Sequence, residues 1–483
     1  MISKNSFKSS FFYLLPVIIG SLIPIITLPI FTRKLSPTEY GILTLAQVYA
    51  IFMNGISNFG LIVGFERNYF EYKEISKRTN LLYSIVAFVM FVSLIFVIIT
   101  FFIEEFVLKT ILHINGYVNL LTLAYVATAI SSFKLYFLSY FKNAEEAKSF
   151  AIYSIDETIL STAFSLILVI FFNFHVYGII VGQLISAFLV FILLIVNFTR
   201  KHPISFDFVA LKSALKLSLP LTPKVFFGVL NNQLDKYLIG VLSTLGGVGI
   251  YNIAQKIANV TFTFMTAIQN VFSPQVYTKM FEMEPKSAAK SIGLYLTPFY
   301  YISIFVALLI SLFSEEIIIM LFPVEYYSAI NITSIFSVLY GSYFFSKHPQ
   351  LVYAKKTWLS SILFVFSIIL NVIIGIPFAK IWGPIGIAWG SLLSGLIWGT
   401  IYFYVSQKCF YIEWEKKKII IISTLFVLTT IILIFMRYFQ LSNSLRIIIK
   451  LIAVSIFFER GIVYKIITKS TIDNLKSFVL NKV

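Results

Sequence analysis

The chain has 483 residues, 59% of them hydrophobic and only 12% charged, with one cysteine and a formal net charge of +17. This composition excludes a water-soluble globule, an intramolecular disulfide and a thiolate-cluster metal site. The solvent is lipid, where backbone polar groups must pair internally, and apolar runs of about 20 residues select helices over the shorter, alternating strands of a barrel.

In chain order, the runs between charged or turn-rich breaks predict spans over 11–32, 40–65, 81–103, 117–141, 151–172, 175–198 and 217–240. Seven more follow over 248–272, 291–313, 328–346, 358–380, 384–405, 419–436 and 445–464. Phe11 opens a full-length span rather than a cleavable signal. Pro220 and Pro223 bend the start of the seventh span, and Lys347-His348-Pro349 marks a helix exit.

Orientation follows from the cations. Lys4, Lys8, Arg67, Lys73, Lys77, Arg78, Lys142, Lys148, Arg200, Lys201, Lys212 and Lys216 fall on one side, as do the later loop lysines from Lys279 to Lys482 other than Lys380. The opposite loops hold Arg33, Lys34, Lys109, Lys380, Arg437 and Arg446. The positive-inside rule then places both termini in the cytoplasm. Charge distributed this way sets topology, so no nucleic-acid partner is expected. Lys416-Lys417-Lys418 beside Tyr411 and Trp414 reads as an interfacial anchor.

The chain also repeats itself. Gly41-Ile42-x-x-x-Ala46-Gln47 recurs as Gly249-Ile250-x-x-x-Ala254-Gln255, and Gly178-Ile179-x-x-Gly182-x-Leu184-Ile185-Ser186 recurs as Gly386-Ile387-x-x-Gly390-x-Leu392-Leu393-Ser394. Both pairs are 208 residues apart. An even number of spans per repeat makes the duplication parallel, as in transporters. The fold expected is therefore an all-α polytopic membrane protein of fourteen transmembrane helices, with two parallel six-helix lobes around a central cavity and two C-terminal helices. The lobes cover 1–205 and 206–413, and 414–483 carries the extra helices and a tail.

Ionisable and amide groups inside spans mark the candidate path, because burying them in lipid is costly. Lys224, Gly228, Asn231 and Asp235 share one face of the seventh span. Asn252, Lys256, Asn259, Thr263 and Thr266 form a stripe on the eighth, with Gln255 and Gln269 beside it. Gln47, Asn54 and Asn58 line one side of the second span, and Arg67 next to Glu66 is either an interfacial ion pair or a cavity contact. For the amides, interhelical hydrogen bonding is the competing role. Lys134 with Asp156-Glu157 reads as a structural pairing, and Asp156, Glu157 and Asp235 are the acids open to ion coupling. The four histidines have no metal-ligand spacing, so no metal or other cofactor is expected.

Leu219-Pro220-Leu221-Thr222-Pro223, Asn232-x-x-Asp235-Lys236-Tyr237-Leu238-Ile239-Gly240 and Gly247-x-Gly249-Ile250-Tyr251-Asn252-Ile253-Ala254 resemble the start of the second lobe in Wzx-type polysaccharide repeat-unit flippases. Ser36-Pro37-x-Glu39-Tyr40-Gly41 resembles the matching first-lobe element, and Gly383-Pro384-x-Gly386-Ile387-Ala388-Trp389-Gly390 the start of the twelfth span. The resemblance covers essentially the whole chain. It implies a member of the polysaccharide transporter branch of the multidrug/oligosaccharidyl-lipid/polysaccharide exporter superfamily. Such a protein would flip a polyprenyl-diphosphate-linked oligosaccharide, as in O-antigen synthesis, across the bacterial cytoplasmic membrane.

Lys224 and Lys256 would then hold the diphosphate, and amides with Tyr251 the sugars. Membrane lipids and the polysaccharide polymerase machinery are the expected partners. The alternatives are a lipid II flippase and a cation-coupled drug exporter, the latter disfavoured because Phe11 to Ile30 contains no Asp or Glu. No loop is long enough for a catalytic domain, so an enzyme is not expected.

Overall fold

The computed structural model describes residues 4–346, 349–439 and 441–466, and every regular element within them is helical. Two compact units divide the chain, 1–249 and 250–483. The first contains α1 (Lys4–Lys34), α2 (Pro37–Ser57), α3 (Leu61–Glu71), α4 (Ile75–Phe106), α5 (Leu120–Asn143), α6 (Ala147–Ile170), α7 (His175–Thr199), α8 (Phe208–Ser218) and α9 (Thr222–Leu242). At its end begins α10 (Leu245–Glu282), which runs into the second unit. There follow α11 (Pro285–Leu312), α12 (Ser314–Leu321), α13 (Ala329–Ser342), α14 (Gln350–Tyr353), α15 (Thr357–Cys409), α16 (Lys416–Tyr438) and α17 (Asn443–Val463).

Each of the fourteen predicted spans falls mainly on helical residues, and seven helices, α2, α4 to α7, α11 and α15, are both long and apolar enough to cross a membrane. The fold is that of a polytopic all-α membrane protein. The spans over 358–380 and 384–405 form the two arms of α15, which turn about Gly383 at φ 58° and ψ −134°. The second span departs from expectation. It stops at Ser57, because Phe59 and Gly60 adopt φ of 47° and 62°, and two left-handed residues cannot continue a right-handed helix. Residues 61–65 belong instead to α3, beyond the spanning helix. The seventh span is bent at its prolines as read, with a 3₁₀ turn over Leu219–Leu221 between α8 and α9. Lys347 and His348 lie outside the described residues.

The Ser36-Pro37-x-Glu39 motif acts as a capping box. Ser36 Oγ accepts from the Glu39 N–H at 3.2 Å, and Glu39 Oε2 accepts from the Ser36 N–H at 2.9 Å. Thr244 caps α10 in a related way, its Oγ1 accepting from the Gly247 N–H at 3.0 Å.

The repeated glycines are packing devices. A Cβ on Gly41 would overlap Leu245 O, and one on Gly249 would overlap Pro37 O. The start of α2 and the start of α10 thus meet backbone to backbone. In each half the second motif joins neighbouring spans. Gly178 sits against Leu168 and Val169 on α6, and Gly386 against Phe378 and Ala379 across the α15 turn.

In the second unit α11 is the central element, packing on α13, α16 and α17. The Tyr300 hydroxyl lies 2.8 Å from Ser423 Oγ on α16, and the Tyr301 hydroxyl donates to Phe457 O on α17 at 2.9 Å. Trp414, expected as an interfacial anchor, is instead 8% exposed and meets Phe345 edge-on at 5.2 Å. The 410–415 linker turns inward because the Glu413 N–H donates to Ala289 O at 3.1 Å.

Candidate functional site

Within the first unit α9 runs antiparallel along α2. Thr222 Oγ1 donates to Phe59 O at 2.9 Å, Gly55 faces Val229, and Gly240 faces Leu45. The seam residues of α9 are therefore Thr222, Val225, Val229 and Gly240. The stripe of Lys224, Gly228, Asn231 and Asp235 lies one residue away from that seam, about 100° round the helix. At its centre a Cβ on Gly228 would meet no atom within 4 Å, so the stripe borders open space. Asn231 and Asp235 are half-buried, and the Lys224 side chain lies outside the described residues.

On α10 of the second unit, Lys256, Asn259 and Thr263 are exposed while Ile253, Ile257, Ala258 and Thr261 are buried. A cation and two polar groups at helical spacing thus share an accessible face on a helix whose other side is core. Gln255 is half-buried beside them, and Asn252 is only 5% exposed. Tyr251, expected to touch sugars, is 0% exposed and meets Phe336 edge-on at 5.1 Å. Its ring belongs to the core.

The candidates on α2 and α3 are held by their own bundle. Gln47 Nε2 donates to Gln183 Oε1 on α7 at 3.4 Å. Asn58 Nδ2 donates to Asn54 Oδ1 at 2.7 Å, and the Tyr136 hydroxyl of α5 donates to Asn58 Oδ1 at 2.8 Å. Arg67 is exposed on α3, paired with Glu71 one turn on and donating to Asn68 Oδ1 at 2.9 Å. The carboxylate beside it goes elsewhere, for Glu66 Oε1 accepts from Lys142 at 2.5 Å and from Ser139 at 3.0 Å. Lys134 pairs with Glu157 between α5 and α6, and Ser131 Oγ donates to Glu157 Oε1 at 2.5 Å.

The polysaccharide biosynthesis protein family matches residues 6–276, more than half of the chain and a stretch that includes α2, α9 and the polar face of α10. The chain belongs to the polysaccharide biosynthesis protein family. No curated protein matches it in sequence. Among solved structures, the chain is similar to the lipid II flippase MurJ in its inward closed conformation. Identity is 18% with a TM-score of 0.70, covering 95% of this chain and 98% of that one. It is also similar to an inward-facing multidrug resistance MATE transporter of the MOP superfamily, at 15% identity and a TM-score of 0.58, covering 83% and 97%. The MATE transporter VcmN of Vibrio cholerae, in a mutant form, gives 11% identity and a TM-score of 0.54, covering 83% and 95%. The fold is that of MOP transporters.

One ionic cluster has no clear signal in the sequence. Lys450 of α17, 1% exposed, lies 2.6 Å from Glu316 and 3.1 Å from Glu315 of α12, and Arg446 lies 2.5 Å from Glu315. Its trace there is a lysine four residues after an arginine on an apolar helix, but the acids that match them are about 130 positions away.

Proposed function

We propose that this protein moves a polyprenyl-diphosphate-linked oligosaccharide from the cytoplasmic to the outer leaflet of the bacterial cytoplasmic membrane by alternating access. Its two six-helix repeats, 1–205 and 206–413, are the moving lobes, and both termini are cytoplasmic. The observation that carries this reading is the accessible Lys256, Asn259 and Thr263 face of α10. A diphosphate cannot enter hydrocarbon uncompensated, and a wet cationic surface lowers that barrier while the lipid tail stays in the bilayer.

Lys224 and Lys256 hold the diphosphate in this scheme. Asn231, Gln255 and Asn259 meet sugar hydroxyls, and Asp235, Asp156 and Glu157 are the acids available for ion coupling. Gln47, Asn54 and Arg67 support the bundle, since the partners named above occupy them. Surface polysaccharide synthesis is the destination that the family suggests.

Flipping of lipid II is the second reading, favoured by the coverage of 95% of this chain by the MurJ structure against 83% by the drug transporters. The test is leaflet exchange of a labelled polyprenyl-diphosphate oligosaccharide, and of lipid II, in vesicles containing the full chain. Exchange by the wild type and its loss in a folded Lys224→Ala, Lys256→Ala variant is the expected result. Full exchange by that variant overturns the site, and wild-type inactivity on every lipid-linked glycan combined with drug efflux overturns the function.

A further inference from the structure

Away from α9 and α10, the first unit holds a pocket of about 400 Å³ at the ends of α5, α6 and α7. Arg200 and Lys201, just past the end of α7, lie on one side of it, and Glu146, Ser149 and Tyr153 line it from the start of α6. Phe141 and Phe198 also line it. The Phe141 and Tyr153 rings stack at 5.7 Å and 10°.

Its electrostatics are unbalanced. Neither Arg200 nor Lys201 has a carboxylate within ion-pair distance among the described residues, whereas Glu146 already accepts a hydrogen bond from Ser149 Oγ at 3.1 Å. His202 also lines the pocket, its ring 4.7 Å from that of Phe198, and two cations against one carboxylate leave a formal charge of about +1 with the imidazole counted as neutral, which suits a monoanion. The Tyr153 hydroxyl accepts from Asn197 Nδ2 at 3.1 Å, so its own proton is left to be donated to a ligand oxygen.

The surroundings distinguish a lipid from a free ion. Leu193 and Val196, 54% and 42% exposed, lead away from Arg200 along one face of α7, and Ile152 of α6 is 42% exposed beside Tyr153. A polar pocket at the end of an apolar track has the form of a headgroup over its acyl chains, and the cation distribution puts it at the cytoplasmic surface.

We infer that this pocket binds the phosphodiester headgroup of an anionic glycerophospholipid. Arg200 and Lys201 hold the phosphate, Tyr153 donates to it, and Leu193, Val196 and Ile152 carry the chains.

The test is native mass spectrometry of the full-length protein titrated with phosphatidylglycerol or phosphatidylcholine, with inorganic phosphate as competitor. Saturable phosphatidylglycerol binding is expected, weakened about thirtyfold by Arg200→Gln with Lys201→Gln and about fivefold by Tyr153→Phe. Phosphatidylcholine binds distinctly more weakly, and millimolar phosphate does not displace the lipid. Equal retention of phosphatidylglycerol by wild type and variants, or equal binding of both lipids, overturns the assignment. Displacement by phosphate also overturns it, in favour of a free-anion site. Should the double variant fail to match the wild-type thermal midpoint, Tyr153→Phe decides the question, because it removes a single hydroxyl.

Discussion

Gly41 and Gly249 stand 208 residues apart in sequence and touch in space. A Cβ on either would come within 3.2 Å or 2.9 Å of the other's backbone nitrogen, and would overlap the carbonyl oxygen of Leu245 or Pro37. Backbone cannot yield as a flexible side chain can. Gly41→Ala is expected to destabilise the protein by about 3 kcal/mol, the upper range for overpacking. Thermal unfolding in detergent checks this, and an unchanged midpoint would contradict the contact.

Gly228 provides the opposite case. It is a mid-helix glycine on α9 with nothing within 4 Å of its Cβ position, so Gly228→Ala should be neutral or stabilise folding by up to about 1 kcal/mol. If the open space beside it serves transport, Gly228→Trp will fold with a near wild-type midpoint yet block leaflet exchange. A transporting Gly228→Trp protein would detach that space from function.

The Lys450 ammonium is nearly fully buried between Glu315 and Glu316. Removing it leaves Arg446 as the one cation paired with these acids among the described residues, and breaking a buried pair from one side costs about 3–5 kcal/mol. Lys450→Met should therefore lower the thermal midpoint strongly, and adding Glu316→Gln should restore much of the loss. A double variant no better than the single would mean that the lysine stabilises through packing.

The helical spans were legible because hydropathy and the length needed to cross lipid act locally, and the prolines at 220 and 223 are likewise local signals. The break at Phe59 and Gly60 was not, since neither residue must adopt a positive φ until α3 packs against α8, where the Gly64 N–H donates to Ser218 Oγ at 3.1 Å. The repeated glycines announced a duplication, but their role as contacts between α2 and α10 is a tertiary fact. Asn54 and Gln47 illustrate the same limit at the candidate site. An amide in a span shows that a partner exists, and only the fold shows that the partner is Asn58 or Gln183.

Glu66 gives a pH signature. Burial pushes its carboxyl up, but hydrogen bonds from Lys142 and Ser139 with the Lys142 charge outweigh this and hold it below the ordinary 4.5. Protons then bind the unfolded chain more readily than the folded one. The contribution is complete above the unfolded value and fades as pH falls through the folded one. Glu66→Gln should accordingly lower the thermal midpoint at pH 7 slightly, given the exposure of the pair, and converge with wild type in the acid range. A difference that is constant with pH would exclude the charge as its cause.

The polar residues of α2 and α10 should separate in experiment. Asn54 is hydrogen-bonded within its own helix bundle, so Asn54→Leu removes the 2.7 Å bond from Asn58 Nδ2, which keeps the Asn54 carbonyl as a partner, and should cost about 1 kcal/mol of stability while the folded fraction still transports. Lys256 lies on an exposed face, so Lys256→Gln should leave the midpoint close to wild type. If it meets a diphosphate, however, its loss removes a charge-assisted hydrogen bond worth about 1.5–3 kcal/mol, or roughly ten- to a hundredfold in exchange rate. Lys256→Arg, which keeps the charge, should recover part of that rate. Equal transport by wild type, Lys256→Gln and Lys256→Arg would place the substrate path on another face of α10.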